Sequence, residues 1–420
     1  PINASRGYNL AGMFVEQLRV QNFRSFRELN LQLTPFSVLV GANASGKTNF
    51  VQLFRFLRDV ANEGFESAIA LQGGVELLRN LRLGGNMPLE IEMEIAVHEP
   101  SMSSRPIPRR YRYKLSLEFT RGRTGYRIAE ESIAVLLDDP EVRRREVLLT
   151  RHGNQLVLSP ALLGTRELLQ QPLLLKLASD QSLLQIDWTP LSSAHGFMAL
   201  IELSRFLKSI VAYDFDVRAL KRSARLESRP HLEESGENLA SVLRRLLQNR
   251  ERRRRFHQLL QQFLPEVQGV SVQVGPEKTV SYSICEQHLG RQKLPSYRLS
   301  EGTAELTALI VAIYFSPARL LLIEEPDRHL HPGLMERLVH HLKETTWRRQ
   351  IIVTTHNPEM VRHTPLDSLL LVQRDREGFS QITRPTENEQ VRLFLQHELG
   401  IHELFVDNLL EAAHAPLPAR

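Results

Sequence analysis

The residues with the most specific chemistry form a glycine-containing loop near the start of the chain. Gly41-Ala42-Asn43-Ala44-Ser45-Gly46-Lys47-Thr48 fits the pattern G-x-x-x-x-G-K-[ST]. The glycines let the backbone curl so that its N–H groups point at a polyphosphate, and the following helix adds the positive end of its dipole. Lys47 would place its charge on the β and γ oxygens, and the Thr48 hydroxyl would bind Mg²⁺. The chain has only eight lysines, so a chance match is improbable, and this loop with Asn49 is predicted to bind a nucleotide.

An acidic pair follows a short apolar segment later in the chain. The apolar residues Leu320–Ile323 predict a buried strand, and Glu324 and Glu325 stand at its end. A strand that delivers carboxylates in this way accompanies phosphate loops, because one carboxylate holds the Mg²⁺ shell and the other polarises the attacking water. By their order we assign Glu324 to the metal and Glu325 to the base. The alternative is an ordinary acidic strand end.

Two further positions could complete such a site. His356 follows the apolar segment Ile351–Val353, and from a strand end it could reach a γ-phosphate or orient the water; a loop histidine without function is the alternative. Ser300 and Gly302 stand where a helix is expected to begin, which is a geometry suited to an anion. Taken alone, that feature is only a capped helix.

Five segments together resemble the RecF/OLD-like AAA-family ATPases, which are related to the SMC-type proteins and belong to the ABC class. They are NFRSF (22–26), ENLASVLRRL (237–246), LSEGT (299–303), IEEPDRHLHP (323–332) and TTHNPEM (354–360). The resemblance implies an α/β ABC-class P-loop NTPase head, with a mixed central sheet, an antiparallel β meander and a helical insertion. It also implies ATP and Mg²⁺ as ligands.

The same resemblance implies a head-to-tail dimer. Ser300 and Gly302 of one subunit would then serve the nucleotide held by Lys47 of the other. Arg24 and Ser25, in the N-terminal motif, would lie near the nucleotide. DNA repair and anti-phage defence are the settings that the family suggests, with an effector protein encoded nearby as a possible partner.

The motifs depart from the family pattern at several positions. Glu324 replaces the aspartate found in many ABC-class proteins, and Glu301 and Thr303 replace the usual glycine and glutamine of the signature. Gln72 is only a weak candidate for the Q-loop glutamine. The residues after Asp375 are too few for an independent TOPRIM nuclease domain, so we expect none. The insertion shows no sustained heptads, so no SMC-type coiled coil is expected.

The hydrophobic pattern places these motifs on elements. Alternating apolar residues predict strands over 14–33 and 88–137, and residues 47–60 predict an amphipathic helix. Residues 160–265 are predicted to be mostly helical. We therefore expect a leader or disordered segment (1–12), an N-terminal lobe with the phosphate loop (13–150), a mostly helical insertion (151–290), a C-terminal lobe (291–385) and a helical tail (386–420).

Composition excludes several classes of protein. The 42% hydrophobic and 24% charged residues rule out a wholly disordered chain. The single cysteine, Cys285, excludes a disulfide scaffold and fits a reducing compartment. No apolar run reaches the ~20 residues of a membrane span, and no secretory signal is evident, so we expect a cytoplasmic protein.

Arginine is abundant, and its meaning stays open. Of the 53 basic residues most are arginines, which reflects either codon composition or phosphate binding. Three arginine clusters are candidate DNA contacts or solvated surfaces. They are Arg244–Arg255, Arg109 with Arg110 and Arg112, and Arg143–Arg145.

These observations favour an ATP-hydrolysing switch that dimerises on ATP and acts on DNA or a partner effector. The alternative, from another class, is a scaffold or regulatory module stabilised by ATP with negligible turnover. A membrane-transport ATPase is a third, less favoured interpretation, because the Q-loop is not evident and the NFRSF motif (22–26) argues against it.

Overall fold

The structure is a computed structural model. It describes residues 12–83, 87–98, 109–120, 125–137, 145–158, 173–189, 195–226, 229–290 and 292–385. Residues 1–11 of the expected leader 1–12 and the tail 386–420 lie outside this set, so the expectations for them stay predictions; Gly12, the last residue of that leader, begins a strand. None of the helices in the described part of the chain is long and apolar enough to cross a membrane.

A six-stranded sheet carries the predicted site. Its strands, in spatial order, are β10 (Val211–Tyr213), β15 (Leu320–Glu324), β16 (Gln350–Thr355), β3 (Phe36–Val40), β17 (Leu369–Arg374) and β18 (Ser380–Thr383). All neighbouring pairs are parallel except β17 and β18. Strands β3, β15 and β16 are buried along their whole length, as continuous apolar runs predict for parallel strands covered on both faces.

This sheet separates two apolar cores. Leu39, Leu320 and Leu322 point into one core, while their neighbours Leu321 and Ile323 point into the other. Because successive side chains of a strand face opposite ways, each strand of four or five apolar residues contributes to both cores. Helix α1 (Lys47–Glu63) packs in the first core through one apolar face.

An eight-stranded antiparallel sheet lies beside it. The strand order is β2 (Phe26–Gln32), β1 (Gly12–Phe23), β4 (Leu89–His98), β5 (Arg109–Phe119), β6 (Tyr126–Leu137), β7 (Arg145–His152), β8 (Gln155–Leu158) and β9 (Leu173–Lys176). Its consecutive neighbours from β4 onward form the predicted meander. The predicted fold, a mixed central sheet with an antiparallel meander, is confirmed.

The remaining elements are divided between the two cores. A small sheet contains β11 (Ala224–Arg225), β12 (Val267–Val274), β13 (Thr279–Glu286) and β14 (Leu294–Pro295). The other helices are α2 (Phe65–Leu71), α3 (Val75–Leu78), α4 (His195–Lys208), α5 (Val217–Leu220), α6 (Leu239–Gln248), α7 (Arg250–Phe263), α8 (Glu301–Phe315), α9 (Met335–Glu344) and α10 (Pro358–His363). Helices α2, α3 and α4 pack in the first core, and the small sheet with α5 to α10 packs in the second.

The interval 151–290 differs from its description as a mostly helical insertion. Besides α4 to α7 it contains β8 to β13, and these strands belong to all three sheets. In particular, β10 pairs with β15 in the central sheet, so this interval is part of the ATPase-like head itself. Of these strands, β10 and β11 have only three and two residues, which is too short to show the alternation that identifies a strand.

Candidate active site

The glycine-containing loop connects β3 to α1, at the carboxyl end of the central sheet. A Cβ atom on Gly41 would lie 2.2 Å from the Val372 carbonyl oxygen. Gly46 has φ +123°, and a Cβ there would lie 2.1 Å from the Ser380 hydroxyl oxygen. Only glycine fits at these two positions, and the loop leads from Val40 to the N-terminus of α1, where free backbone N–H groups favour an anion.

Lys47 is turned back onto its own loop. Its Nζ donates to the carbonyl oxygens of Gly41 (2.7 Å) and Ala42 (2.9 Å). Burial lowers the pKa of Lys47, against the negative charges of Glu325, Asp327 and Glu324. The ammonium group therefore lies in the field of three carboxylates and is held by two carbonyl oxygens of its own loop.

Glu324 ends β15 inside a polar cluster. Arg55 Nη1 donates to its Oε1 over 2.9 Å, and the Thr48 hydroxyl is also hydrogen-bonded to this carboxylate. Burial raises the pKa of Glu324, while Arg55 and Thr48 act in the opposite direction. The structure thus brings together the two residues that the sequence assigns to the metal.

The oxygen atoms near Lys47 suit a hard cation such as Mg²⁺, which prefers hydroxyl, carboxylate and phosphate oxygens. Besides Thr48 and Glu324, the buried Asp327 has an Oδ1 atom without a hydrogen-bond partner. In the described part of the chain, no three His, Cys, Asp or Glu side chains form a metal-binding group on their own. The cation that fits here is one that takes most of its ligands from phosphate and water.

Glu325 is the most accessible carboxylate of the cluster and has an uncommon backbone conformation, with φ +43°. Its side chain accepts from Arg328 (3.0 Å) and contacts His356 Nδ1 (3.1 Å). Burial alone would raise the pKa of Glu325, but the Arg328 hydrogen bond and the charge of His356 hold that pKa below its ordinary value. The carboxylate is therefore ionised and faces the predicted histidine.

Asp327 and Thr355 support this pair, and sequence analysis did not single them out. The Thr355 hydroxyl donates to Asp327 Oδ2 over 2.9 Å and accepts from the Asn357 N–H. Both side chains are buried. They connect the ends of β15 and β16, so that Glu325 and His356 are held on the same side of the sheet.

A chain of hydrogen bonds lies beneath the loop. Asn49 Nδ2 donates to Ser25 Oγ (2.7 Å), Ser25 and Ser380 share a hydrogen bond (2.8 Å), and Ser380 Oγ reaches the Ser45 carbonyl (2.6 Å). Since each hydroxyl has one proton, the consistent direction runs from Asn49 through the two serines to Ser45. Ser25 thus lies beside the loop, and its predicted place near a nucleotide stays a prediction. Ser380 was missed because β18 carries no motif.

Arg24 lies on the other side of the N-terminal turn. It has φ +47°, and its Nη2 donates to the Gln72 side chain over 2.6 Å and to the Gln72 carbonyl over 3.1 Å. Burial lowers the pKa of Arg24. The Gln72 amide also donates to Gln52 over 3.4 Å. Gln72, the weak Q-loop candidate, is therefore bound to Arg24 and Gln52.

The predicted signature residues lie at the start of α8. Ser300 caps this helix, because its Oγ accepts from the Thr303 N–H over 3.1 Å. A Cβ on Gly302 would lie 2.6 Å from the His329 carbonyl oxygen, so the helix start touches the segment that follows β15. Among the described residues, no hydrogen bond or ion pair joins Ser300–Thr303 to the loop 41–49.

The arginine clusters differ in exposure and in ion pairing. Arg250 and Arg252–Arg255 are exposed on α7. Arg110 pairs with Glu16 (3.5 Å) and Arg112 with Glu94 (3.0 Å), so these two are partly neutralised. The side chains of Arg109 and Arg143–Arg145 lie outside the described set.

Residues 36–362, well over half of the chain, match the model of a protein family described as "AAA domain, putative AbiEii toxin, Type IV TA system". Among curated relatives, the DNA replication and repair protein RecF of Paenarthrobacter aurescens is 32% identical over 139 residues, which cover 32% of this chain and 34% of RecF. The Septu protein PtuA of Bacillus thuringiensis is 36% identical over 59 residues, 14% of this chain and 15% of PtuA.

The similarity to curated relatives is partial. An uncharacterised protein of Methanocaldococcus jannaschii is 27% identical over 168 residues, 37% of this chain and 44% of that protein. This chain thus covers less than half of the length of each of these relatives. Among solved structures, an Smc head bound to the C-terminal winged-helix domain of ScpA has a TM-score of 0.48 at 16% identity, covering 88% of this chain and 97% of that chain.

Proposed function

Because the chain belongs to the AAA domain family whose model it matches over residues 36–362, we propose that it is an ABC-class ATPase that binds and hydrolyses Mg-ATP at loop 41–49. The family match and the similarity to RecF confirm the resemblance drawn from the motifs. The single observation that carries the proposal is the position of Lys47, which lies in the field of Glu324, Glu325 and Asp327 at the start of α1.

In this proposal the loop binds the triphosphate. The N–H groups of residues 42–48 would surround the β and γ phosphates, and Lys47 would exchange its two backbone carbonyl partners for phosphate oxygens. Thr48 and Glu324 would hold Mg²⁺, which supplies charge neutralisation on the phosphates when it is bound. Ser25 and Asn49 would keep the outer side of the loop in place.

Glu325 and His356 would act on the water. A water oxygen attacks the γ-phosphorus, the bond from that phosphorus to the β–γ bridging oxygen breaks, and the water proton passes to the Glu325 carboxylate. An ionised Glu325 is required for this role, which agrees with its lowered pKa. His356 would orient the water or the γ-phosphate through its hydrogen bond to the carboxylate.

We also propose how ATP binding acts on other molecules. Two copies would close head to tail, so that Ser300 and Gly302 of one contact the nucleotide of the other. The closed state would be relayed to a partner effector or to DNA, in repair or anti-phage defence, as the names of RecF and Septu PtuA suggest. A cytoplasmic location is part of the same proposal.

One observation favours the alternative, an ATP-stabilised scaffold with negligible turnover. Arg55 already pairs with Glu324, and this contact competes with a metal ion for the carboxylate. If Arg55 stays bound to Glu324 when ATP binds, the nucleotide would be held without efficient hydrolysis.

Phosphate release separates the two functions. We expect the wild type to release phosphate from Mg-ATP. Lys47→Ala should lose ATP binding, and Glu325→Gln should bind ATP normally while its turnover falls by ~10²-fold or more, since a catalytic base is removed. Lys208→Ala and Glu336→Gln, at exposed positions on α4 and α9, are the matched controls. A wild type that binds ATP without releasing phosphate would reject hydrolysis and support the scaffold.

A further inference from the structure

A cluster of exposed leucines lies on the α2–α3 segment. Leu71, Leu77 and Leu81 have 66%, 51% and 71% of their surface exposed. In the described part of the chain, the other large apolar side chains with comparable exposure are Val274, Tyr297 and Trp347, which are spread over the sequence. Several exposed leucines within a short segment mark a candidate contact surface.

A cavity of about 840 Å³ opens beside Leu77. One wall is formed by α2 and α3, and the opposite wall by the start of β6 and the turn between β7 and β8. Buried Ile69, Val75 and Ile128 line it, and Leu77 also belongs to its lining. We call this cavity the α2–α3 groove; it has an apolar floor and room for at least one large side chain.

The rim of the groove is acidic. Glu66, Glu76 and Asp180 belong to its lining. Of its two arginines, Arg127 is exposed and pairs with Glu118, which does not line the groove.

The second arginine, Arg151, is fully buried and donates to backbone carbonyls, including those of Ala178 (2.8 Å) and Ser179 (2.9 Å). Burial raises the pKa of Tyr126 in the groove, the charges of Glu66 and Asp180 raise it further, and Arg151 lowers it. With three carboxylates against two arginines, one of them fully buried, the groove has an acidic lining on a chain whose net charge is +5.

We propose that the α2–α3 groove binds a segment of a partner polypeptide that carries an apolar anchor flanked by lysine or arginine. The apolar floor and Leu77 would receive the anchor, and Glu66 and Asp180 would pair with the flanking cations. The inference rests on the proposed function in one respect: it names the surface through which the ATPase cycle reaches its effector.

Among the described residues, Gln72 connects the groove to the candidate active site through Arg24 and through Gln52 on α1. Gln72 lies between α2 and α3 and is held by Arg24. Arg24 precedes Ser25, which belongs to the hydrogen-bonded chain beneath loop 41–49. A peptide that shifts α3 would therefore act on Gln72 and Arg24 first.

A displayed library of short random peptides tests the proposal. It is selected on the nucleotide-free wild type, so that the result does not depend on hydrolysis. The double variant Glu66→Lys/Asp180→Lys, Leu77→Gln, and the control Glu251→Lys/Glu336→Lys at exposed positions on α7 and α9 are compared by fluorescence anisotropy with the resynthesised peptides. Leu77→Gln changes an exposed side chain, so it keeps the test valid even if the charge reversal impairs folding.

We expect the selected peptides to share an apolar residue between basic residues. They should bind the charge-reversed variant and Leu77→Gln about tenfold or more weakly, and the control as well as the wild type. The proposal is overturned if no peptide is enriched, or if the enriched peptides bind all variants equally. It is also overturned if light scattering shows that the wild type self-associates and that the charge reversal abolishes this, because the occupant is then a second copy.

Discussion

Ser380 lies outside the phosphate loop and supports it from below. Its side chain is 1% exposed, lies where a Gly46 side chain would be, and hydrogen-bonds to Ser25 and to the Ser45 carbonyl. A carbonyl held from below leaves the N–H groups of the loop free to point at a ligand. Ser380 is therefore a positioning residue for the proposed nucleotide site.

Replacing this hydroxyl should weaken nucleotide binding more than it weakens the fold. We expect Ser380→Ala to lower the affinity for a fluorescent ATP analogue by about five- to tenfold, the range expected for one lost hydrogen bond. Thr383→Ala, on the exposed face of the same strand, is the control.

The double variant Ser25→Ala/Ser380→Ala extends this test. It should lose less than the sum of the two single losses, because both serines act in one chain. Additive losses, or a loss only in thermal stability, would contradict the positioning role.

Sequence alone could predict the loop, the acidic pair and His356, but not the residues that support them. The loop is a continuous motif, and Glu325 and His356 each end an apolar run. Ser380 and Ser45, in contrast, are 335 positions apart, and Arg55 and Glu324 are 269 positions apart. Such contacts depend on the order of strands in the sheet, which no local pattern determines.

The contact between α8 and the segment after β15 has an ionisable centre. Glu305 on α8 is 3% exposed and hydrogen-bonds to His329 Nδ1 over 2.8 Å. Burial raises its pKa to about 7, against the opposing effects of His329 and Arg328; Asp327 also raises it. Glu301, one turn earlier, faces the other nitrogen of His329 over 3.4 Å.

This contact should make stability depend on pH. Between the ordinary pKa of glutamate, 4.5, and about 7, the folded protein holds a proton on Glu305 that the unfolded chain has released. Stability contributed by this group therefore falls as pH rises through that window, by at most roughly 3 kcal/mol, and is constant above it.

Glu305→Gln tests this expectation, because glutamine does not titrate. We expect the unfolding midpoint of the wild type to fall more between pH 5.5 and 8 than that of the variant, as measured by differential scanning fluorimetry. Glu336→Gln serves as the control and should follow the wild type. Parallel pH profiles for the wild type and Glu305→Gln would reject the role of Glu305.

At the scale of elements, long periodic segments were predictable and short strands were not. The helix at Lys47 and the helices of 239–263 show an apolar face in the sequence, and the structure contains them. The three residues of β10 show no pattern of their own. They form a strand because they hydrogen-bond to the edge of β15, and this pairing is a tertiary effect.

At the scale of the whole chain, the predicted nucleotide site has two parts, the phosphate loop with its catalytic pair and the signature residues, and they lie in separate places. Loop 41–49, Glu325 and His356 gather at the carboxyl end of the central sheet, whereas Ser300 and Gly302 begin α8 beside His329. Within the described residues no hydrogen bond or ion pair connects the two groups. If the signature serves the nucleotide, as the resemblance implies, the contact must come from a second copy.

ATP should therefore bring two copies of the chain together, and the variant Glu325→Gln should keep them together. We expect Glu325→Gln to elute as a dimer in saturating Mg-ATP and as a monomer without nucleotide, because the nucleotide that bridges the copies is not hydrolysed. Lys47→Ala should stay monomeric in both conditions. Size-exclusion chromatography with light scattering measures this directly, with Glu336→Gln as the matched control. A Glu325→Gln protein that binds ATP and remains monomeric would show that Ser300 and Gly302 do not serve a partner's nucleotide.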